Sequence, residues 1–205
     1  MATTFTVGPG DTMRPYIRGG QVAQIVSFPE AASQVFKAGE LLILNNGGSL
    51  GHQVKLSGAN PTADVVGTAV HDATGTQGTW AGRGSRTDSQ ALGAGAASSL
   101  GPGQGGSLGA GVIGGLTKGV VQVYCAYPNT LFVARCQSGG ALSVDNIGRQ
   151  FGVVRDAGNV IWRVDTTNTT QKVVQIVGLF DDNGDTNGRY IFKFRAAINA
   201  LYGEF

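Results

Sequence analysis

Charged side chains are scarce in this sequence. Asp, Glu, Lys and Arg make up 14% of the 205 residues, against about 25% in an ordinary soluble domain. The 15 basic and 13 acidic residues nearly cancel, to a formal net charge of +2. No run of Lys or Arg could neutralise a row of phosphates. The sequence therefore argues against nucleic acid as a direct ligand.

Long apolar runs and export signals are also missing. The longest apolar stretches, such as residues 41–44, have the length of a strand and fall far short of the roughly 20 residues that a membrane-spanning helix needs. Residues 1–11 carry neither a basic leader nor the apolar stretch of about 7–15 residues that a secretory signal requires. We therefore expect no membrane span and no export.

Cysteine occurs only twice, at Cys125 and Cys136. The two residues sit on successive predicted strands, and a tight turn at residues 128–129 would place Cys125 opposite Phe132 rather than opposite Cys136. Buried free thiols are therefore favoured over a disulfide, which suits assembly in a reducing cytoplasm.

Residues that carry enzymatic or metal chemistry do not form a convincing constellation. His52 and His71 lie in or beside apolar strands without a cysteine or second histidine at ligand spacing, which favours structural roles. Two glycine patterns, at 101–106 and 109–114, match a dinucleotide-binding motif by composition, but neither lies between a strand and a helix. No serine elbow occurs. The sequence therefore predicts neither an enzyme nor a cofactor.

The polar run at residues 181–188 has oxygen-bearing side chains at alternating positions, as a calcium loop does. Thr186 stands where an EF-hand requires glycine, and Phe192 stands where the bidentate glutamate belongs. A polar turn between two strands explains the same residues, because Asp, Asn and Gly are the residues that such turns use. We therefore interpret the run as a turn, with no metal site.

Glycine is the residue in excess, with 34 in the chain. Short segments rich in Val, Ile and Leu alternate with turn residues, a pattern typical of a small β-barrel or β-sandwich. Only residues 29–36, with Ser27 as a possible N-cap, suggest a short helical turn. Residues 196–202 fit either a strand or one helical turn.

The sequence predicts an all-β protein with extended segments at 22–28, 39–44, 52–56, 64–70, 120–127, 131–136, 152–155, 160–165, 172–180 and 189–195. Trp162 shares a face with two valines and is predicted to be core.

A glycine-rich stretch divides the chain. Between residues 82 and 119 one residue in three is glycine, no aromatic residue occurs, and too little side-chain surface is present to offset the entropy cost of ordering. The stretch is either a flexible linker or an arm that lies on a partner. The predicted organisation is an N-terminal arm at 1–15, a β domain at 16–82, the linker or arm at 83–118, and a second β domain at 119–205.

Candidate interface residues lie beside this stretch and at the C-terminus. Trp80 is followed by Arg83 and Arg86, and aromatic residues with arginines are favoured at protein interfaces. Trp80 could equally close the bottom of the first domain. Tyr202 and Phe205 place two aromatic rings on an apparent tail, which would either enter the core or dock on a neighbour.

Two parts of the chain resemble known viral proteins. Residues 36–44, with a G-x-L-(hydrophobic) element, and 64–73, with a V-G-x-A-x-x-D element, resemble tailed-bacteriophage capsid decoration (cement) proteins. Residues 173–182 and 189–194 are similar to closing strands of phage head structural proteins. The resemblance covers about a third of the chain and contains no catalytic signature.

The resemblance implies a structural protein in the virion. It would bind the outer surface of the capsid, stabilise the lattice of the major capsid protein, and form a homo-oligomer, with a trimer favoured. It would be made and assembled in the host cytoplasm. The alternative is a carbohydrate-binding or adhesive module of a phage head or tail fibre, which would need an exposed aromatic ring such as that of Trp80.

Overall fold

A computed structural model describes residues 12–16, 23–45, 53–75, 112–113, 116–117, 119–156 and 161–201. These residues form two main β-sheets, one separate pair of short strands, and two 3₁₀ helices at Val144–Asn146 and Ala196–Ile198. The all-β class predicted from the sequence is confirmed. Among the described residues there is no helix long and apolar enough to cross a membrane.

The first main sheet has five strands and is strongly curled. Its members are β2 (Ile25–Pro29), β3 (Leu41–Asn45), β4 (Gln53–Leu56), β5 (Val65–Ala69) and β8 (Val120–Cys125). They lie in the order β2-β8-β5-β3-β4, and all neighbours are antiparallel. The curl brings the two outer strands together, because Glu30, directly after β2, forms a parallel bridge with Val54 of β4.

The second main sheet has six strands. Its members are β1 (Arg14–Pro15), β9 (Phe132–Arg135), β10 (Gln150–Asp156), β11 (Ile161–Asp165), β12 (Val174–Leu179) and β13 (Arg189–Phe194). They lie in the order β1-β9-β13-β12-β10-β11, again with antiparallel neighbours. Two further strands, β6 (Val112–Ile113) and β7 (Leu116–Thr117), pair only with each other.

All ten extended segments predicted from the sequence contain a strand, but two strands lie in sheets that the predicted division does not anticipate. The strand β8, assigned to the second domain, completes the first sheet between β2 and β5. The strand β1, at the end of the predicted N-terminal arm, pairs with β9 of the second sheet. The hairpin expected around residues 128–129 is therefore wrong, because β8 and β9 enter different sheets and Cys125 pairs with Gly67 instead of Phe132.

The helical turn predicted at residues 29–36 is also wrong. Pro29 is the last residue of β2, and the backbone N–H groups that follow it bond to other segments. Glu30 donates to the Gly119 carbonyl at 2.8 Å, and Ala31 donates to the Val54 carbonyl at 2.9 Å. Ser33 has a φ of 57°, a left-handed conformation that a helix does not accommodate. Of the two alternatives for residues 196–202, the structure shows a helical turn, the 3₁₀ helix Ala196–Ile198.

The apolar side chains form two clusters. The larger one lies mainly within the second sheet, and the smaller one fills the curled sheet. Trp162 is fully buried in the larger cluster, as predicted. The rings of Phe132, Phe192 and Phe194 belong to the same cluster and pack on one another, with centroids 5.0–6.1 Å apart. Phe192 and Phe194 both point inward because alternate residues of β13 face the core.

The two sheets are joined by direct contacts. Glu40, before β3, is fully buried, and its Oε1 lies 2.5 Å from Nε of Arg155 in β10. Beyond the second 3₁₀ helix, the Asn199 side chain donates to the Ala126 carbonyl, and Ala200 N–H donates to the Val65 carbonyl at 2.9 Å. The larger apolar cluster also includes Leu41 and Val65 of the curled sheet. The core is therefore continuous between the sheets.

Candidate functional site

The interface residues predicted from the sequence lie outside the described part of the chain. This holds for Trp80, Arg83 and Arg86, and for Tyr202 and Phe205 at the C-terminus. The described residues instead contain two other candidate features. They are the residues that hold the ends of the glycine-rich segment and a surface at the junction of the two sheets.

A buried glutamate holds the two points, Gly75 and Gly119, between which the chain contains the glycine-rich segment. Glu30 is fully buried. Its Oε2 accepts hydrogen bonds from the backbone N–H and the hydroxyl of Thr74, each at 2.8 Å, and its Oε1 accepts one from Gly75 N–H at 2.9 Å. Charge-assisted bonds of this kind offset the cost of burying a carboxylate. We call Glu30, Thr74, Gly75 and Gly119 the loop base.

Gly119 joins the loop base from the other end of the segment. Its N–H donates to the Thr74 hydroxyl at 2.9 Å, and its carbonyl accepts from Glu30 N–H at 2.8 Å. Gly119 has a φ of 75°, which glycine adopts at no steric cost. The chain therefore leaves the curled sheet at Gly75 and returns to it at Gly119, at adjacent points.

The pairing of β5 with β8 shows which strands the glycine-rich segment connects. The strands before and after it, β5 and β8, are antiparallel neighbours in one sheet, with Gly67 opposite Cys125 and Ala69 opposite Val123. A linker between two domains would leave one sheet and enter another. The geometry of the ends therefore favours a long loop or arm of the curled sheet over a linker.

The residues just before Thr74 are also held in place. The Asp72 carboxylate accepts from Lys37 Nζ and from Ala38 N–H, each at 2.9 Å. The Lys37 ammonium lowers the pKa of Asp72 below its ordinary value. His71 Nε2 accepts from Gln122 N–H at 3.0 Å, so its Nδ1 carries the proton that faces the Asp72 carbonyl at 2.9 Å. His71 thus has the structural role predicted for it, and His52 lies outside the described residues.

The polar run at residues 181–188 forms the connection between β12 and β13, as predicted. The side-chain oxygens of Asp181, Asn183, Asp185 and Asn187 accept bonds within the protein. Asp181 binds the Arg189 guanidinium at 2.6 and 2.8 Å, and Asn183 Oδ1 accepts from Val144 N–H at 3.0 Å. In the described part of the chain, no three His, Cys, Asp or Glu side chains gather as a metal site.

A surface with two shallow cavities lies where β1 meets β8 and β9. One, of about 290 Å³, lies beside the turn at residues 127–130, and its lining includes Tyr16, Gln24 and Asn129. The next, of about 370 Å³, shares Tyr16 and is lined also by Arg14, Tyr124 and Phe180. Their lining is largely aromatic and neutral polar.

A third cavity includes Pro128 of the same turn in its lining. It measures about 340 Å³, and its lining includes Pro128, Gln150, Gln175, Lys193 and Arg195. We call the three cavities together the junction surface. No local sequence pattern predicts the junction surface, because its residues come from six separate segments that only the fold brings together.

Cys125 and Cys136 are both buried free thiols, as predicted. Burial raises the pKa of Cys125 to about 11 and raises the pKa of Cys136 above its ordinary value. The Cys136 thiol donates to the Gly140 carbonyl at 3.0 Å. Thiols in such surroundings are poor nucleophiles.

Comparisons of this chain with protein-family models, with curated proteins and with solved structures find no match.

Proposed function

We propose that this chain is a non-catalytic structural protein that binds the outer surface of a viral capsid and stabilises the lattice of the major capsid protein. The observation that carries the proposal is the loop base, which holds Gly75 and Gly119, the points where the chain that contains the glycine-rich segment leaves and rejoins one sheet. The protein works in the virion as a homo-oligomer, with a trimer favoured.

The loop base supports attachment through an extended contact. A segment with little side-chain bulk lets its backbone approach a partner closely. Because Glu30 and Thr74 hold its two ends at one place, the contact starts from a defined point on the curled sheet. A protein that binds only the assembled lattice stabilises that lattice by mass action.

The position of the resembling stretches also supports the proposal. Residues 36–44 end in β3, and residues 64–73 contain β5 and lead directly into the loop base. The two strands are antiparallel neighbours. The stretches that resemble decoration proteins therefore form one continuous structural unit that ends at the proposed attachment loop.

The lining of the junction surface favours binding over catalysis. Within the described residues, its three cavities contain aromatic, amide and basic side chains but no carboxylate or histidine. General acid–base catalysis most often uses those two groups. A binding role needs only the aromatic and polar contacts.

A carbohydrate-binding or adhesive module is the second candidate function. The rings of Tyr16, Tyr124 and Phe180, which line one cavity of the junction surface, favour it, since aromatic faces with neutral polar neighbours suit sugar rings. Binding of the purified chain to glycans, lost on Tyr124→Ala and independent of capsids, would replace the first proposal with this one.

The test of capsid binding uses undecorated capsids of the virus that encodes the chain. Purified protein is mixed with these capsids, and co-sedimentation and capsid melting are measured. We expect saturable binding and a higher melting temperature of the capsid. Absence of both association and a melting shift would exclude the proposed function.

A further inference from the structure

The cavities of the junction surface are lined by basic side chains and by no acidic ones. Arg14, Lys193 and Arg195 line it, and its lining contains no Asp or Glu. None of these three cations forms an ion pair with another described residue. Four other basic side chains do have acidic partners, in the pairs Lys37–Asp72, Arg155–Glu40, Arg163–Asp156 and Arg189–Asp181.

Strand register places hydrogen-bond donors side by side in the third cavity. Gln150 lies opposite Gln175, and Gln175 lies opposite Lys193. Side chains in directly opposed positions share a face with Cβ atoms about 5 Å apart. Arg195 follows Lys193 by two residues, so it lies on the same face, and its Nη1 donates to the Lys172 carbonyl at 2.6 Å. Gln175 Nε2 donates to the Gly148 carbonyl at 3.1 Å. Lys193 and the remaining N–H groups of Arg195 can therefore donate to one acidic group, with Gln150 beside them.

The aromatic part of the surface is organised before any partner arrives. The Arg189 guanidinium lies 4.1 Å from the centroid of the Phe180 ring, and the Tyr16 ring meets Phe180 edge to face at 5.8 Å. One face of Phe180 is therefore already covered. Single-stranded nucleic acids bind by stacking bases on open aromatic faces along a basic groove, whereas protein interfaces are enriched in aromatic residues and arginine.

We infer that the junction surface docks a protein segment that carries carboxylates. The acidic groups bind at Lys193 and Arg195, and an apolar side chain of the same segment enters the cavity beside Tyr16 and Phe180. This inference rests on the proposed function, under which the partner is the major capsid protein. It adds the contact surface and the chemistry of the partner.

The first test is charge reversal at Lys193, whose side chain makes no hydrogen bond to another described residue. We expect Lys193→Glu to weaken binding to undecorated capsids by at least about tenfold, because like charges then face each other across the interface. Lys55→Glu, the same change on β4 of the other sheet, is the matched control and should stay within about twofold of wild type.

Unchanged affinity of Lys193→Glu would overturn the inference. Circular dichroism checks that each variant is folded. If Lys193→Glu is not folded, Lys193→Gln, which removes the charge without reversing it, decides the question by the same measurement. Wild-type binding should also weaken as salt is raised, and salt-independent binding would count against the inference.

A second test separates the inference from the proposed function. If wild-type protein fails to bind capsids, the proposed function fails, but the surface can still be probed with a Glu- and Leu-containing peptide. Amide resonance shifts at Tyr16 and Lys193 on adding the peptide, absent in Lys193→Glu, would support the inference. Preference for oligo-dT or for a heparin oligosaccharide, or occupation of the surface by a second copy of the chain, would overturn it.

Discussion

The Glu30 carboxylate and Thr74 are joined by two hydrogen bonds of 2.8 Å, one to the backbone N–H and one to the hydroxyl. Glu30 follows β2 and Thr74 follows β5. Their contact therefore fixes the position at which the chain leaves the curled sheet after β5. A third bond, from Gly75 N–H, completes the carboxylate's partners at 2.9 Å. Both oxygens of the Glu30 side chain must therefore act as hydrogen-bond acceptors.

Glu30→Gln should therefore loosen the loop base. The carboxamide N–H₂ would face backbone donors, and the change should lower the free energy of unfolding by about 2–3 kcal/mol, because charged hydrogen bonds are lost and donors are left unpaired. Native-state hydrogen exchange at the Thr74 and Gly75 amides should become faster. Asp182→Asn, at an exposed side chain, is the matched control and should change neither quantity. Unaltered exchange in Glu30→Gln would show that the carboxylate does not hold the loop.

Gly67 is a second position where the fold leaves no choice of residue. A Cβ there would lie 1.9 Å from the Tyr124 carbonyl oxygen, and the φ of 153° is one that side chains rarely adopt. Gly67→Ala should lower the free energy of unfolding by about 3 kcal/mol or more, since backbone must move to relieve the clash. Gly58→Ala, where nothing lies within 4 Å, is the control and should have little effect in the same denaturation experiment.

The positions of the strands could be predicted from the sequence, because Val-, Ile- and Leu-rich segments separated by Gly, Asn and Pro carry local information. The pairing could not. Residues 127–130 have the chemistry of a hairpin turn, yet β8 and β9 enter different sheets. Which strands pair depends on how distant segments pack, and a single sequence does not reveal it.

The loop base was missed for a related reason. Glu30 follows Pro29, and a proline followed by an acid is typical of the first turn of a helix. Its partners, Thr74 and Gly75, lie 44 and 45 residues further along the chain. The scarcity of charged residues was the available signal, since an acid next to an apolar strand in such a chain is a candidate for burial.

The ion pair between Glu40 and Arg155 should contribute to the contact between the two sheets. Glu40 is fully buried, whereas the Arg155 side chain is 25% exposed. Arg155→Met should lower the free energy of unfolding by about 2–4 kcal/mol, because it leaves a buried carboxylate without its cation. Arg149→Met, at an exposed position, should change it by less than about 0.5 kcal/mol.

The double variant Glu40→Leu/Arg155→Met gives a sharper result. Replacing both members of a buried pair by apolar residues is often nearly neutral. The double variant should therefore be more stable than Arg155→Met alone in urea denaturation. A double variant that is less stable than Arg155→Met would mean that the Glu40 carboxylate has a further role, such as its bond from Lys37 N–H at 2.8 Å.

The two thiols should be unreactive while the protein is folded. Because the pKa of Cys125 is raised from 9.0 to about 11, its thiolate fraction at pH 8 is lower by roughly 100-fold, and the thiolate is the nucleophile. Alkylation by iodoacetamide, followed at each cysteine by mass spectrometry, should be slow in native protein and fast in urea. Rapid native labelling of Cys125 would contradict its burial.

The contact between Asp181 and Arg189 should make stability depend on pH in the acid range. The hydrogen-bonded Arg189 guanidinium lowers the pKa of Asp181 below its ordinary value of 3.8. A carboxyl with a lowered pKa contributes stability that is fully present above its unfolded-state pKa and is lost as the pH falls through the folded-state pKa. The contribution should therefore be present from neutral pH down to about pH 4 and disappear below it.

Asp181→Asn tests this dependence directly. The variant should be less stable than wild type at pH 7, and the difference should shrink as the pH is lowered past 4, because protonated Asp181 and Asn are then both neutral. Urea denaturation at several pH values gives the two curves. Asp182→Asn, whose side chain is exposed, should follow the wild-type curve. A gap between wild type and Asp181→Asn that stays constant down to pH 2 would show that the loss comes from packing and not from the ion pair.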